Sequence, residues 1–141
     1  MINDEAGVLL SDEYRFNMCM TKFPGGGMKF GEGPEDCMRR EAIEEFGQPV
    51  EILNHFYTTG FYQKAMFFQS HQLISIYYRI KPTGKIKFHI SDKPFDFPAD
   101  TEGSQSFRWQ NIKTLKAEEL SFPVDRFVAG MLQEQYREGL L

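Results

Sequence analysis

Glu41, Glu44 and Glu45 lie three and four residues apart, so on a helix turning about 100° per residue their carboxylates share one face. Like charges at that spacing repel, and anions near a helix C-terminus oppose its dipole, each effect costing about 0.3–1 kcal/mol. The patch therefore calls for a cation. Arg40 stands one turn before Glu44 and can pair with it, but one guanidinium does not neutralise three carboxylates. A divalent ion does, and hard oxygen donors favour Mg²⁺ or Mn²⁺ over zinc. Acidic helix faces are usually just solvated; here Gly25-Gly26-Gly27 lies immediately upstream, where missing side chains let backbone groups approach a phosphate or a metal closely.

The element that must carry these groups is well marked. Gly33 can act as N-cap, Pro34 suits the first helical position, Glu35 and Asp36 complement the positive end, and Gly47 suits a left-handed C-terminal cap. These signals predict a helix over residues 34–47. Met38, Ala42 and Phe46 share a second face that can dock it on a core.

Gly26, Glu32, Arg40, Glu41, Ala42, Glu44, Glu45 and Gly47 follow the spacing G-x5-E-x7-R-E-U-x-E-E-x-G-U, with U apolar, and so resemble the Nudix box. A chance match to its fixed positions is on the order of one in a million from average composition. One departure is visible: the final apolar position holds Gln48, with Val50 two residues on. Outside residues 26–48, the segment Phe107 to Ile112, then Leu115, Leu120 and the tail, also looks like the closing part of a Nudix domain.

The resemblance implies an α/β fold, an α/β/α sandwich with a mixed β-sheet. It implies metal-dependent hydrolysis of the diphosphate linkage in a nucleoside diphosphate derivative, such as a nucleoside triphosphate, nucleotide sugar or dinucleotide, with Mg²⁺ or Mn²⁺ as cofactor. Carried over by position, Glu41, Glu44 and Glu45 match metal-ligand glutamates and the Gly26 carbonyl a backbone ligand. Arg40 matches the residue that orients a glutamate, and Glu32 a supporting carboxylate. The general base is Glu44 or a glutamate from a downstream loop, for which Glu102 is the candidate and Asp100 its rival. The chemistry suits the electrophile, because a diphosphate carries repelling charges that metal ions screen while they lower the pKa of the attacking water. The competing reading is a Nudix-like module that senses a nucleotide without cleaving it, and the retention of Glu41, Glu44 and Glu45 favours the enzyme. Diphosphate isomerisation would want a His and Cys metal site that is not found.

Substrate choice in that family lies outside the box. No proline occurs between Pro49 and Pro82, so the proline that marks many ADP-ribose hydrolases is absent. Tyr62 lies where diadenosine polyphosphate hydrolases often carry a tyrosine. Phe61, Tyr62 and Phe67 could stack on a base, although core packing is the more ordinary expectation for each, and for Cys19 and Cys37. His55, His71 and His89 are scattered and are assigned no catalytic part.

For the remaining elements, Val8-Leu9-Leu10 and Met18-Cys19-Met20 read as two short strands around a polar loop, Ser11 to Asn17. Residues 50–80 are rich in β-branched and aromatic side chains and suit extended strands, closed by a turn at Lys81-Pro82-Thr83-Gly84. Residues 91–106 read as a long irregular loop before a strand around Phe107-Arg108-Trp109. The tail places Phe127, Val128, Met131 and Leu132 at helical spacing. The resemblance also implies a strand ahead of Val8, where seven residues leave little room. Either the chain starts late or a sheet edge is short, and an exposed edge makes a homodimer an expectation.

The 141 residues suit one domain with an ordinary core, at 41% hydrophobic and 26% charged. Sixteen Lys and Arg against twenty Asp and Glu leave a net charge of -4, which argues against duplex nucleic acid; the small-molecule nucleotide partner is what the resemblance implies. No apolar run reaches the roughly 20 residues of a membrane span, no signal peptide is evident, and two cysteines make no disulfide framework, so a cytoplasmic setting is expected.

Overall fold

The computed structural model describes residues 1–141. The first strand, β1 (Gly7–Arg15), is the spine of the molecule and is buried on both sides. β2 (Met18–Lys22) pairs with it on one edge and β5 (Ser104–Asn111) on the other. Alternation along β1 sends Val8 and Leu10 to one face, where they meet Val128, Ala129 and Leu132 of α2 (Pro123–Arg137). Leu9 goes to the opposite face and packs with Ala42 and Phe46 of α1 (Pro34–Phe46). The two helices thus sandwich the sheet, in agreement with the α/β/α expectation. A second hairpin, β3 (Val50–Thr58) with β4 (Ile76–Pro82), contributes Val50 and Ile80 to the α1 side. Every strand pair is antiparallel, three strands in one sheet and two in the other, where the resemblance implied one mixed sheet.

The polar stretch from Ser11 is not a loop. β1 runs on to Arg15, and only Phe16 and Asn17 turn the chain, at φ 52° and 57°. That is the mirror-image two-residue turn whose twist matches a hairpin. The strand tolerates Ser11, Asp12 and Glu13 because each is hydrogen-bonded: Asp12 receives Arg108 Nε at 2.8 Å and the Thr21 hydroxyl at 2.6 Å, and Ser11 donates to Glu13 at 2.9 Å. Between β3 and β4, residues 59–75 form no regular strand beyond a bridge from Lys64 to Gln72, so Phe67-Phe68 and Leu73 to Ser75 lie outside the expected strands. Residues 1–3 fold back on β1 through a bridge from Ile2 to Val8, occupying the flank ahead of β2. α2 buries Val124, Val128, Ala129 and Leu132, while Phe127 is half-exposed and packs on Tyr57 and Phe61 instead.

α1 has the expected ends. Gly33 is the N-cap, its N–H donating to the Asp36 carboxylate at 3.2 Å, and Gly47 closes the helix at φ 61°. Beyond it Gln48, the departure from the box, is 1% exposed. Its amide donates to the carbonyls of Thr83 and Lys85 and accepts from the Lys87 N–H, so one side chain ties the helix exit to the turn after β4. Gln48→Leu keeps the volume but strands those backbone groups, and should cost about 2–4 kcal/mol in urea unfolding. A loss below about 0.5 kcal/mol would show that water replaces the amide.

Candidate functional site

Arg40 organises the acidic face of α1. Its Nε and Nη2 engage both carboxylate oxygens of Glu32, Nη1 donates to Glu41 at 2.6 Å and Glu44 at 2.8 Å, and Nη2 also reaches the Gly27 carbonyl at 2.9 Å. The expected Arg40 to Glu44 pair is present, alongside the bonds to Glu32, Glu41, the Gly27 carbonyl and the Cys37 sulfur. Bidentate pairing with Arg40 holds the Glu32 carboxyl down at about 2. Glu44 is half-exposed and held below the usual carboxylate range by Lys29, whose ammonium lies 3.2 Å away, and by Arg40.

Glu45 is different. Burial pushes its carboxyl up, and Oε2 is buried without any hydrogen-bond partner. Its Oε1 faces the Gln105 amide at 3.3 Å and Lys22 Nζ at 3.9 Å. Lys22 also reaches Glu13 at 3.0 Å and the Gly25 carbonyl at 2.6 Å, while Glu13 accepts from Ser11 and Gln105. Glu13, Lys22, Lys29 and Gln105 were not singled out from the sequence. The available signal was the alternation Leu9, Ser11, Glu13 along β1, hidden by reading Ser11 to Asn17 as a loop.

The residues fit a hard cation in their chemistry. The patch offers carboxylate oxygens, one of them orphaned, and a β-carbon at Gly26 would meet the Glu41 carboxylate, so the glycine lets that carboxylate lie directly against the backbone. The side chains are nonetheless turned onto Arg40, Lys29 and Lys22, and no three His, Cys, Asp or Glu side chains are arranged as a ready cage.

Beside the patch opens a cavity of about 560 Å³, within the usual range for small-molecule sites. Lys22, Gly26 and Glu41 border it, and its apolar walls include Phe23, Phe56 and Leu73.

A NUDIX domain model matches residues 1–131. The chain belongs to the NUDIX family. Part of this NUDIX chain, 29% of its length, is 40% identical over 48 residues to an RNA pyrophosphohydrolase from Blochmanniella floridana, of which the match spans 30%. Across 96% of its length the chain also superposes on 91% of a chain from a structure and function analysis of MutT from Aliivibrio salmonicida and Vibrio cholerae. That similarity has a TM-score of 0.52 at 20% identity and concerns the fold.

Within this NUDIX chain, Arg40 gathers Glu32, Glu41 and Glu44, Gly26 stands against the Glu41 carboxylate, and Glu45 faces Lys22 and Gln105 instead. Glu102 does not join them: its exposed carboxylate accepts the Phe16 N–H at 2.9 Å and braces the β1–β2 turn. Phe61 and Tyr62 are exposed rather than packed in the core, and Phe67 stacks on Phe16 with ring centroids 4.2 Å apart. Cys37 is buried as expected, with burial pushing its thiol up, whereas Cys19 is exposed.

Asp125 is a further buried acid on the cavity wall, accepting the Tyr77 hydroxyl at 2.6 Å. Burial raises its pKa from 3.8 to about 6, against the Tyr77 hydrogen bond and the more distant Lys22. Between those values the folded protein keeps a proton that the unfolded chain has lost, so this group's contribution falls as pH rises, by up to about 3 kcal/mol above pH 6. Asp125→Asn preserves the acceptor for Tyr77. The variant should be more stable than the parent at pH 8 and equal to it below pH 4 in denaturant unfolding, and a gap unchanged between those pH values would contradict the assignment.

Proposed function

We propose that this chain hydrolyses the diphosphate linkage of a small nucleoside diphosphate derivative, a nucleoside triphosphate, nucleotide sugar or dinucleotide, using Mg²⁺ or Mn²⁺. The observation that carries this is the cavity beside the box: Gly26 and Glu41 line it, so one ligand can reach the apolar walls and the carboxylate patch together. Glu41, Glu44, Glu45 and the Gly26 carbonyl would hold the ion. When bound, the ion screens the phosphate oxygens and acidifies the attacking water.

Arg40 keeps Glu41 and Glu44 oriented through its Nη1, and Glu32 fixes Arg40 by pairing with Nε and Nη2. Glu44, the most open of the three box carboxylates, takes the proton from water. Glu102 is the other carboxylate put forward as base; it is bonded at the β1–β2 turn and makes no contact with Arg40, whereas Glu44 lies on the Arg40 network beside Glu41, which favours Glu44.

The test is phosphate release, with a coupled phosphatase, from nucleoside triphosphates, dinucleotides, nucleotide sugars and a 5′-triphosphorylated oligonucleotide, which the RNA pyrophosphohydrolase relative makes worth including. Turnover of a small nucleotide supports the proposal. Turnover of the oligonucleotide alone moves the substrate to RNA ends, and binding of nucleotides without cleavage overturns hydrolysis in favour of a sensor.

A further inference from the structure

Lys22 ends β2 where the acidic patch meets the cavity. Glu13 and Glu45 share it: the ammonium lies 3.0 Å from Glu13 and 3.9 Å from Glu45, and it donates to the Gly25 carbonyl at 2.6 Å. Gln105 repeats the arrangement, its amide facing both carboxylates at 3.1 and 3.3 Å. Two largely buried carboxylates therefore share one ammonium and one neutral amide; Glu13 has a second cation, Arg15 Nε at 3.7 Å from its other oxygen, whereas Glu45 has Lys22 alone. Glu13 is the better satisfied, with Ser11, Gln105 and Lys22 all on Oε1, while Glu45 keeps an orphaned oxygen. A divalent ion drawn to that oxygen would stand within a few ångströms of the ammonium and be opposed by it.

We propose that Lys22 is a positioning residue that couples ion binding to substrate binding. Its ammonium balances Glu13 and Glu45 in the ion-free protein, opposes a divalent ion on Glu45, and is compensated by the phosphates of a ligand in the adjoining cavity. Ion and diphosphate then each strengthen the binding of the other. This rests on the ion-holding role given above to Glu45.

Mn²⁺ binding to the ligand-free protein, followed by electron paramagnetic resonance at pH 8, tests the first half. Lys22→Gln should bind Mn²⁺ at least threefold more tightly than the parent, and Lys22→Arg should match the parent. Calorimetric titration with the Mn²⁺ complex of pyrophosphate tests the second half, where Lys22→Gln should bind at least fivefold more weakly and Lys22→Arg should restore binding. A structural role for the lysine would weaken both. If Lys22→Gln does not fold by circular dichroism, Lys22→Met keeps the stem and replaces it. Unchanged or weaker Mn²⁺ binding by a folded neutral variant, or unchanged pyrophosphate binding, overturns the role of Lys22 alone. Failure of the parent to bind Mn²⁺ overturns the ion site itself and the inference with it.

Discussion

Glu44→Gln lowers turnover at least about a hundredfold on whichever substrate the parent cleaves, the scale expected when a charged catalytic group is lost. The side chain is half-exposed and bonded to Arg40 and Lys29, and neither bond belongs to the core. Its loss should leave stability close to the parent's, because exposed ion pairs contribute little. Removing one of three neighbouring carboxylates also relieves repulsion, which offsets part of that cost. The pairing of a large kinetic effect with a small thermal shift distinguishes a catalytic role from a structural one. Glu102→Gln is the companion measurement: with its carboxylate on the Phe16 N–H, turnover should stay within about tenfold of the parent. If Glu44→Gln retains activity and Glu102→Gln loses it, the base is Glu102.

The largest stability effect should come from the opposite face of β1. Asp12 is fully buried, and Arg108, also buried, has its charge balanced by Asp12 at 2.8 Å. Thr21 donates its hydroxyl to Asp12 at 2.6 Å. Asp12→Ala leaves the guanidinium without its counter-charge and the Thr21 hydroxyl without its acceptor, which should cost about 3–5 kcal/mol. That is a large share of a typical domain stability of about 5–15 kcal/mol. Replacing both partners, Asp12→Leu with Arg108→Met, should recover most of the loss, because the cost of a broken buried pair lies mainly in the charge left behind. Urea unfolding of the single and double variants gives the cycle, and a single-variant loss under about 1 kcal/mol would mean that water reaches the guanidinium.

Local chemistry was readable along the chain wherever a few neighbouring residues decide the outcome. The helix at Pro34, its cap at Gly47, the face shared by Glu41, Glu44 and Glu45 and the pairing of Arg40 with Glu44 all follow from spacing within one element. The far end of β1 is not legible in the sequence, because the unbroken polar run Ser11-Asp12-Glu13 reads as a loop until its partners are known. Those partners, Arg108 for Asp12 and Gln105 for Glu13, come from residues more than ninety positions away. Gln48 is the same case in miniature: a polar residue in an apolar slot is unremarkable only once the carbonyls of Thr83 and Lys85 stand against it.

The sequence by itself determined the family pattern, the acidic helix and the hard oxygen donors on its face, because these depend on residue type and helical periodicity. Only the tertiary structure decided that Lys22 and Gln105 stand against Glu45, that Glu102 serves a turn, and that a cavity opens beside Gly26 and Glu41. The reason is physical: burial, desolvation and hydrogen-bond satisfaction are properties of what surrounds a side chain, and those surroundings are assembled from segments far apart in the chain.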